Sequence, residues 1–309
     1  GEKEKQDELR SRLRAGAGEF TPFEKLLFDL YEARVEKRSA DALRILRILR
    51  TQAPDDLFFR VLTALLASQQ RDLDDVVSCL GDLEDAEWDT LNQGPQGEWV
   101  VRMLTQAYHY RGDHGRELEV VERGLLVNPR SQEAILQKAR ALAALGRVAE
   151  VERIVAVSQQ TASDKVTAGE VALVASQELR AHGFPEDARR IAVEAADWYA
   201  GLPGAESDTA ISRWNRLECL WMAERWDEAA PLAEAFAERQ VEPEWAVHAK
   251  GLQAALAARR GDQAWAGAAD RELQAVAEGR ALGDALFWRA AIAAQLGNRD
   301  AAVERLRSA

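Results

Sequence analysis

Apolar residues recur at intervals of three and four through most of this chain, and polar residues fill the positions between them. Clear examples are Leu26, Leu27, Leu30 and Tyr31, then Leu43, Leu46, Ile48 and Leu49. This spacing matches the helical turn of about 3.6 residues and predicts amphipathic helices. No segment combines strict alternation, β-branched residues and Asn-Gly or Asp-Gly turns, so we predict no strands. The pattern therefore predicts an all-α protein, with helices of about 12 to 17 residues joined by short turns.

Glycines mark the predicted turns at a regular interval. Successive turn glycines lie 34, 37, 78 and 36 residues apart, and the longest interval spans two units. The glycines are Gly112, Gly146, Gly183, Gly261 and Gly297. We also predict turns without glycine near Lys37, Arg71 and Glu224. Such a period is typical of repeated helix pairs that stack on copies of themselves.

The fifth residue after each turn glycine also follows the repeat. It is Ala188, Ala266 or Ala302 in three units, where a small side chain lets the second helix approach the first closely. Val151 and Glu117 are larger exceptions at this position.

These features resemble the tetratricopeptide repeat (TPR) superfamily. The best match has Leu104, Tyr108, Gly112, Gly124 and Pro129, and the final unit has Leu286, Ala290, Gly297, Ala302 and Leu306. The resemblance implies a right-handed α-solenoid of about seven stacked antiparallel helix pairs over residues 21–309. Residues 1–20 are then a charged N-terminal helix or linker. Missing turn glycines and Pro231, which falls inside a predicted helix, are departures from the family pattern.

Several phrases resemble a narrower group, the C-terminal TPR-type regions of bacterial multidomain regulators that carry a serine/threonine kinase or winged-helix domain upstream. The phrases are FTPFEKLLFDLYEAR, LTQAYHYRGDHGRELEVVERGL, ARALAALGRVAEVERI and FWRAAIAAQLGNRDAAVERL. This resemblance implies a ligand-sensing regulatory module of a larger signalling protein. Residues 1–20 would be the tail of a connection to an upstream domain, or simply a solvated helix.

Composition narrows the classes of partner. Forty basic against 52 acidic residues give a net charge of −12, which disfavours a nucleic-acid partner. We expect no membrane span and no secretory signal, because no apolar run is long enough. The absent initiator Met suggests a processed or excised fragment. Cys79 and Cys219 lie in apolar patterns, which predicts buried reduced thiols and a cytoplasmic location.

Catalytic and cofactor motifs are not found in the sequence. The four histidines form no HExxH, and there is no GxGxxG after a strand, no GxxxxGK[ST] and no GxSxG. His109 and His114 lie five residues apart, a spacing that permits a shared metal but does not support one. We therefore expect neither enzyme activity nor a cofactor.

In TPR units the second, fifth, ninth and twelfth residues of the first helix line a concave wall, so the resemblance also implies binding positions. With three neighbouring residues, they are Trp99, Arg102, Gln106, His109, Tyr110, Gln137, Arg140, Gln177, Arg180, Trp214, Asn215, Glu218 and Trp221. We expect this wall to bind an acidic or C-terminal segment through three arginines, with Trp214 and Trp221 as apolar anchors. Alternatively, the tryptophans pack between repeats and the arginines are merely solvated.

Two insertions break the repeat, at residues 81–97 and 200–209, and they are either functional or simply longer loops. Trp88 in the first could close over one end of the groove or contact a partner. The leading hypothesis is a non-catalytic scaffold that binds a protein or peptide segment in its groove. The alternatives are a sensory module for a small-molecule effector and a self-association module, a homodimer through the C-terminal end near Val303 and Leu306.

Overall fold

The computed structural model describes residues 2–92, 96–160, 166–239, 243–280 and 283–308. Within these ranges the chain forms helices and turns and no β-strand, which confirms the all-α prediction. Two compact units divide the chain, Gly1–Leu145 and Gly146–Ala309. Each unit is a series of helix pairs in which the helices of one pair pack on those of the next.

The N-terminal unit contains three antiparallel pairs within its described residues: α2 with α3, α4 with α5, and α7 with α8. An additional helix, α9, packs on α8. The helices are α1 (Glu2–Gly16), α2 (Pro22–Val35), α3 (Ser39–Gln52), α4 (Leu57–Gln69), α5 (Leu73–Leu80), α6 (Asp85–Asn92), α7 (Gln96–Tyr110), α8 (His114–Val127) and α9 (Gln132–Ala144), with a 3-10 turn at Ala17–Glu19.

The C-terminal unit contains four pairs within its described residues: α11 with α12, α14 with α15, α16 with α17, and α18 with α19. With the three pairs of the N-terminal unit this makes seven pairs within the units, in agreement with the prediction of about seven. The count leaves out α9 and α10, which the turn at Gly146 connects. The helices are α10 (Val148–Ser158), α11 (Ala168–Ala181), α12 (Pro185–Ala200), α13 (Gly204–Ser207), α14 (Ala210–Met222), α15 (Trp226–Arg239), α16 (Pro243–Arg259), α17 (Gln263–Arg280), α18 (Gly283–Gln295) and α19 (Arg299–Ser308).

All eight predicted turn residues adopt the left-handed backbone conformation. The five turn glycines have φ between 68° and 91°. Lys37, Arg71 and Glu224 have φ of 57°, 58° and 60°, although a side chain disfavours this region. The repeat thus imposes the turn geometry even where the sequence supplies no glycine.

Backbone hydrogen bonds show why the turn needs that conformation. At the end of α7, the N–H of Gly112 donates to the carbonyl of His109, and the N–H of Asp113 donates to the carbonyl of Tyr108, each at 2.9 Å. This is the Schellman pattern, in which a left-handed residue satisfies the last carbonyls of a helix. Arg38 and Asp72 donate equivalent bonds to Ala33 and Ala67, after the turns that lack glycine.

The fifth residue after each of the eight turns is buried. The eight residues there are Ala42, Val76, Glu117, Val151, Ala188, Ala229, Ala266 and Ala302, and none is more than 7% exposed. Close approach of the paired helices explains the alanines, as predicted. Glu117 is the one charged residue among the eight, and it is completely buried.

The N-terminal helix α1 is attached to the first pair by an ion-pair cluster. Arg10 Nε lies 2.5 Å from Glu32 Oε1, and Arg14 also bonds this carboxylate. Hydrogen bonds from Arg10, opposed by partial burial and assisted by Arg14, lower the pKa of Glu32 to about 2. Part of the segment 1–20 is therefore a helix that contacts α2. Whether it is a separate domain or linker remains a prediction.

The first insertion packs inward. Its helix α6 places Trp88 in the interior, 4% exposed, with the Arg123 guanidinium 5.0 Å from the ring centroid. Arg60 on α4 donates to Glu87 at 2.7 Å, which holds α6 against the repeat. Trp88 is therefore neither an exposed lid nor an exposed partner contact. Residues 93–95 of this insertion lie outside the described residues.

Both cysteines are free and buried, in agreement with the prediction. Burial raises the pKa of Cys79 and of Cys219, so both favour the neutral thiol. Among the described helices, none has the length and apolar character needed to cross a bilayer.

Candidate functional site

Helix α7 presents one exposed face with aromatic and polar side chains. Trp99, Arg102, Gln106 and Tyr110 are spaced by three or four residues, which places them along one side of the helix. Trp99 is 50% exposed and Tyr110 is 67% exposed, and both polar side chains between them are also exposed. The opposite side of α7 is buried in the core through residues such as Leu104. Four of the predicted wall residues thus share one solvent-facing surface.

His109, at the end of the same helix, points instead toward a buried carboxylate. Its Nδ1 lies 3.2 Å from Oε2 of Glu117, and Nδ1 of His114 lies 3.0 Å from the same oxygen. Arg140 Nε donates to Oε1 of Glu117 at 2.7 Å. Burial raises the pKa of Glu117, but the bonds from His109, Arg140 and His114 outweigh it, so the net pKa is lowered. Glu117 is therefore an ionised carboxylate whose donors are all supplied by the protein.

The ligand atoms of His109, His114 and Glu117 lie within 4.8 Å of one another. Two imidazoles and a carboxylate are a set that can bind zinc. However, the Arg140 guanidinium already occupies the same carboxylate, and its positive charge opposes a cation there. The cluster is accounted for as an ion-pair network within the N-terminal unit, and we assign no metal to it.

Gln137, another predicted wall residue, is buried beside this network. Its Oε1 accepts from the Thr105 hydroxyl at 2.9 Å, and its Nε2 donates to Glu133 at 3.1 Å. The side chain therefore joins α9 to α7 and is only 3% exposed. From its position in the sequence, Gln137 was predicted to lie beside the wall residues.

In the C-terminal unit, Arg180 on α11 forms an ion pair with the left-handed turn residue Glu224 at 3.1 Å. It also donates to the sulfur of Met222 at 3.6 Å. Gln177, one turn earlier on α11, is half-buried. Of the three predicted binding arginines, two thus have internal carboxylate partners, whereas Arg102 has none among the described residues.

Trp214 lies inside an aromatic cluster. It is 6% exposed, and its ring centroid lies 5.8 Å from that of Trp245, 6.1 Å from that of Trp288 and 5.3 Å from that of His248. Asn215 is also buried, and its Nδ2 donates to the Tyr199 hydroxyl at 3.0 Å. Both predicted wall residues therefore face the interior of the C-terminal unit.

Glu218, one turn along α14, sits against this cluster. Burial raises the pKa of Glu218 to about 7, and a hydrogen bond from Trp214 opposes the rise only partly. Trp221 is half-buried, with its ring edge-on to Trp226 at 4.9 Å. Packing between helices accounts for both tryptophans of α14, which was the alternative interpretation of the sequence.

Exposed apolar residues near the start of other first helices were missed from the sequence. Phe58 is the second residue of α4 and is 63% exposed, and Ile211 is the second residue of α14 and is 53% exposed. Both occupy the position that Trp99 was assigned in its own unit. Applying the same positional rule to every first helix would have found them.

The C-terminal unit also contains a cavity of about 200 Å³ between α14 and α15. Arg213, Arg216 and Arg239 line it, and no acidic side chain among the described residues does. No sequence pattern groups these residues, because Arg239 comes from the end of another helix, α15.

Repeated helix pairs, left-handed turns and a buried fifth position together define a TPR-like helical-repeat fold. No protein-family model matches the chain, and no curated protein matches its sequence. Among solved structures, the chain is similar to a tetratricopeptide repeat protein from Parabacteroides merdae, with a TM-score of 0.57 and 13% identity over 93% of this chain and 98% of that chain. It also aligns with the TPR domain of P58(IPK), with 15% identity over 93% and 92% of the two chains, but that TM-score of 0.25 is too low to indicate a shared fold.

Proposed function

We propose that this chain is a non-catalytic protein-interaction scaffold, and that the exposed face of α7 is part of its peptide-binding surface. The observation that carries the proposal is the pair of exposed rings, Trp99 and Tyr110, on one face of a helix. Trp and Tyr are the side chains most enriched among interface residues that dominate binding energy. Their exposure is unfavourable in the free protein and would be relieved by a partner.

The charge on this face favours an acidic partner segment. Arg102 lies between the two rings, is exposed and has no acidic partner among the described residues. Arg140 and Arg180, by contrast, already hold Glu117 and Glu224. On a chain of net charge −12, an unpaired arginine between two aromatic rings gives an acidic segment a local point of attraction. The exposed amide of Gln106 adds hydrogen-bonding capacity for a peptide backbone.

Self-association and membership of a larger bacterial regulator remain predictions. The exposed Val303 and Leu306 on α19 fit the first, at 39% and 52% exposure. The α7 surface is the better supported site because it combines aromatic rings, a cation and an amide.

The proposal is tested by fluorescence anisotropy with labelled peptides of acidic, neutral and basic composition, each with a free C-terminal carboxylate. We expect the acidic set to bind best, and Trp99→Ala and Arg102→Glu each to weaken binding by about tenfold or more. Leu126→Ala is the matched control, because Leu126 is 83% exposed on α8 and lies outside the proposed surface. Equal affinities for the parent and all three variants would show that the α7 face is not the binding surface.

A further inference from the structure

The C-terminal unit contains a positively charged cavity that the repeat fold does not require. It lies among α12, α13, α14 and α15, and its lining includes Arg213, Arg216 and Arg239. One wall comes from Ser207, within the insertion at residues 200–209 that breaks the repeat period. The insertion therefore helps to form a cavity, and is more than a longer connection.

The three arginines at the cavity have few directly bonded carboxylates among the described residues. Asp208 accepts from Arg213 Nη1 at 2.8 Å and from Arg239 Nη1 at 3.0 Å, so two guanidinium groups share one carboxylate. Arg216 forms no direct ion pair in the described part of the chain; the nearby Glu228, whose pKa Arg216 helps to lower, is bonded by Arg225 at 2.6 Å. The three guanidinium groups at the cavity therefore have one directly bonded carboxylate among the described residues, in a chain that is acidic as a whole.

Hydrogen-bond donors in the same place also lack acceptors. The Nε atoms of Arg213 and Arg216 are buried, and neither has a hydrogen-bond partner among the described residues. Buried donors are almost always satisfied in native proteins, so two unsatisfied guanidinium donors beside one cavity show that the described residues supply few acceptors for these arginines. Ser212 adds a further donor, because its hydroxyl oxygen accepts from Thr209 at 2.8 Å and its own O–H has no acceptor among the described residues.

Apolar side chains line the same cavity beside the charges. Leu232 and the ring of Phe236 line it, and the Arg213 guanidinium lies 6.0 Å from that ring centroid. We propose that this cavity binds a small organic anion, an oxyanion attached to a short apolar group. The guanidinium groups and Ser212 would bind the oxyanion, whereas Leu232 and Phe236 would contact the apolar part. The volume of about 200 Å³ restricts the ligand to a small molecule or a single terminal group.

Isothermal titration calorimetry at low ionic strength, in a phosphate-free buffer, tests the proposal with four probes. Phenyl phosphate and benzoate carry both parts of the expected ligand, inorganic phosphate carries only the anion, and phenol carries only the ring. We expect phenyl phosphate or benzoate to bind more tightly than inorganic phosphate, and phenol not to bind. Failure of both aromatic anions to bind, or equal binding of phenol, would overturn the proposal.

Two variants locate the binding. Arg216→Gln breaks no bond within the described chain and should weaken the aromatic anion by about tenfold or more. Ser212→Glu should abolish binding by placing a carboxylate at the cavity. The third residue after the α14 cap Thr209 is where glutamate completes a capping box, so the helix should stay intact.

Arg271→Gln is the matched control, since Arg271 is exposed on α17 in the same unit and does not line the cavity. It should leave the affinity within about twofold of the parent. If Arg216→Gln has no more effect than Arg271→Gln, the cavity is not the anion site. The cavity lies entirely in the C-terminal unit, so this result is independent of peptide binding to α7.

Discussion

Glu117 in the N-terminal unit and Glu218 in the C-terminal unit are both carboxyl groups in low-polarity surroundings, but their pKa values shift in opposite directions. The pKa of Glu117 is lowered, because His109, Arg140 and His114 outweigh the effect of burial. The pKa of Glu218 is raised to about 7, because burial is opposed only by a bond from Trp214. Burial alone therefore does not determine the charge of a carboxyl group in this protein.

The same helical repeat accommodates a buried carboxyl group in two different ways. Glu117 occupies the close-approach position that alanine or valine fills in the other repeats, and it is tolerated because two imidazoles and a guanidinium surround it. Glu218 lies beside Trp214, where aromatic rings supply little compensation for a negative charge. The first is a buried ion-pair network, and the second is a carboxyl group that gains stability by holding its proton.

The largest effect expected is from Arg140→Ala in the N-terminal unit. Removing the guanidinium leaves the buried Glu117 charge with only its histidine donors, so the free energy of unfolding should fall by about 3 kcal/mol. Urea unfolding monitored by circular dichroism at pH 7 measures this loss. Arg180→Ala is the control, because its ion pair with Glu224 is partly exposed and should contribute under about 1 kcal/mol.

Similar losses for Arg140→Ala and Arg180→Ala would contradict the contrast between a buried and an exposed pair. If both losses are small, the two histidines stabilise Glu117 without help from Arg140.

The second prediction concerns the pH dependence that Glu218 confers. Between pH 4.5 and about 7 the folded protein keeps the Glu218 proton, whereas the unfolded chain has lost it. Stability from this group is therefore fully present at low pH and declines as pH rises through that window, by about 3 kcal/mol at most. Glu218→Gln, which is neutral at every pH, should remove this decline. Unfolding free energies of both proteins from pH 4.5 to 8 provide the measurement.

Glu117 should behave in the opposite sense, because its folded pKa is lowered. Its contribution to stability is complete above the unfolded pKa of 4.5 and is lost only as pH falls below it.

Parallel stability curves for the parent and Glu218→Gln would show that the Glu218 carboxyl group is better solvated than the structure indicates.

The repeat frame could be predicted from the sequence because its strongest signals are local. Glycine spacing located five turns, and the same period located the turns at Lys37, Arg71 and Glu224, whose residues give no local sign of a left-handed conformation. The exception at Glu117 was also visible as a charged residue at a position where alanine is usual. It was a signal of the buried network, although its partners could not be named.

The surroundings of the wall residues could not be predicted, because they depend on residues distant in sequence. Trp214 is buried by Trp245 and Trp288, which come from two later helices. Likewise, Asp208 bonds both Arg213 and Arg239, and Arg239 lies 31 residues further along the chain than Asp208. Helical periodicity specifies which face a residue occupies but not what packs on that face.

The smallest effects are expected from substitutions at a left-handed turn residue of each unit. At Arg71 the left-handed conformation disfavours a side chain, and the exposed arginine forms no ion pair among the described residues, so Arg71→Gly should stabilise the protein by about 0.5–1 kcal/mol. Glu224→Gly relieves the same backbone conformation but also removes the ion pair with Arg180, so its net effect should be close to zero. Melting curves for the two variants and for Gly112→Ala, which should destabilise, measure all three. If Arg71→Gly destabilises as Gly112→Ala does, the arginine contributes more to its turn than the backbone geometry implies. Since Arg71 and Glu224 share one backbone geometry, any difference between their variants measures what the Glu224 side chain contributes to its own unit.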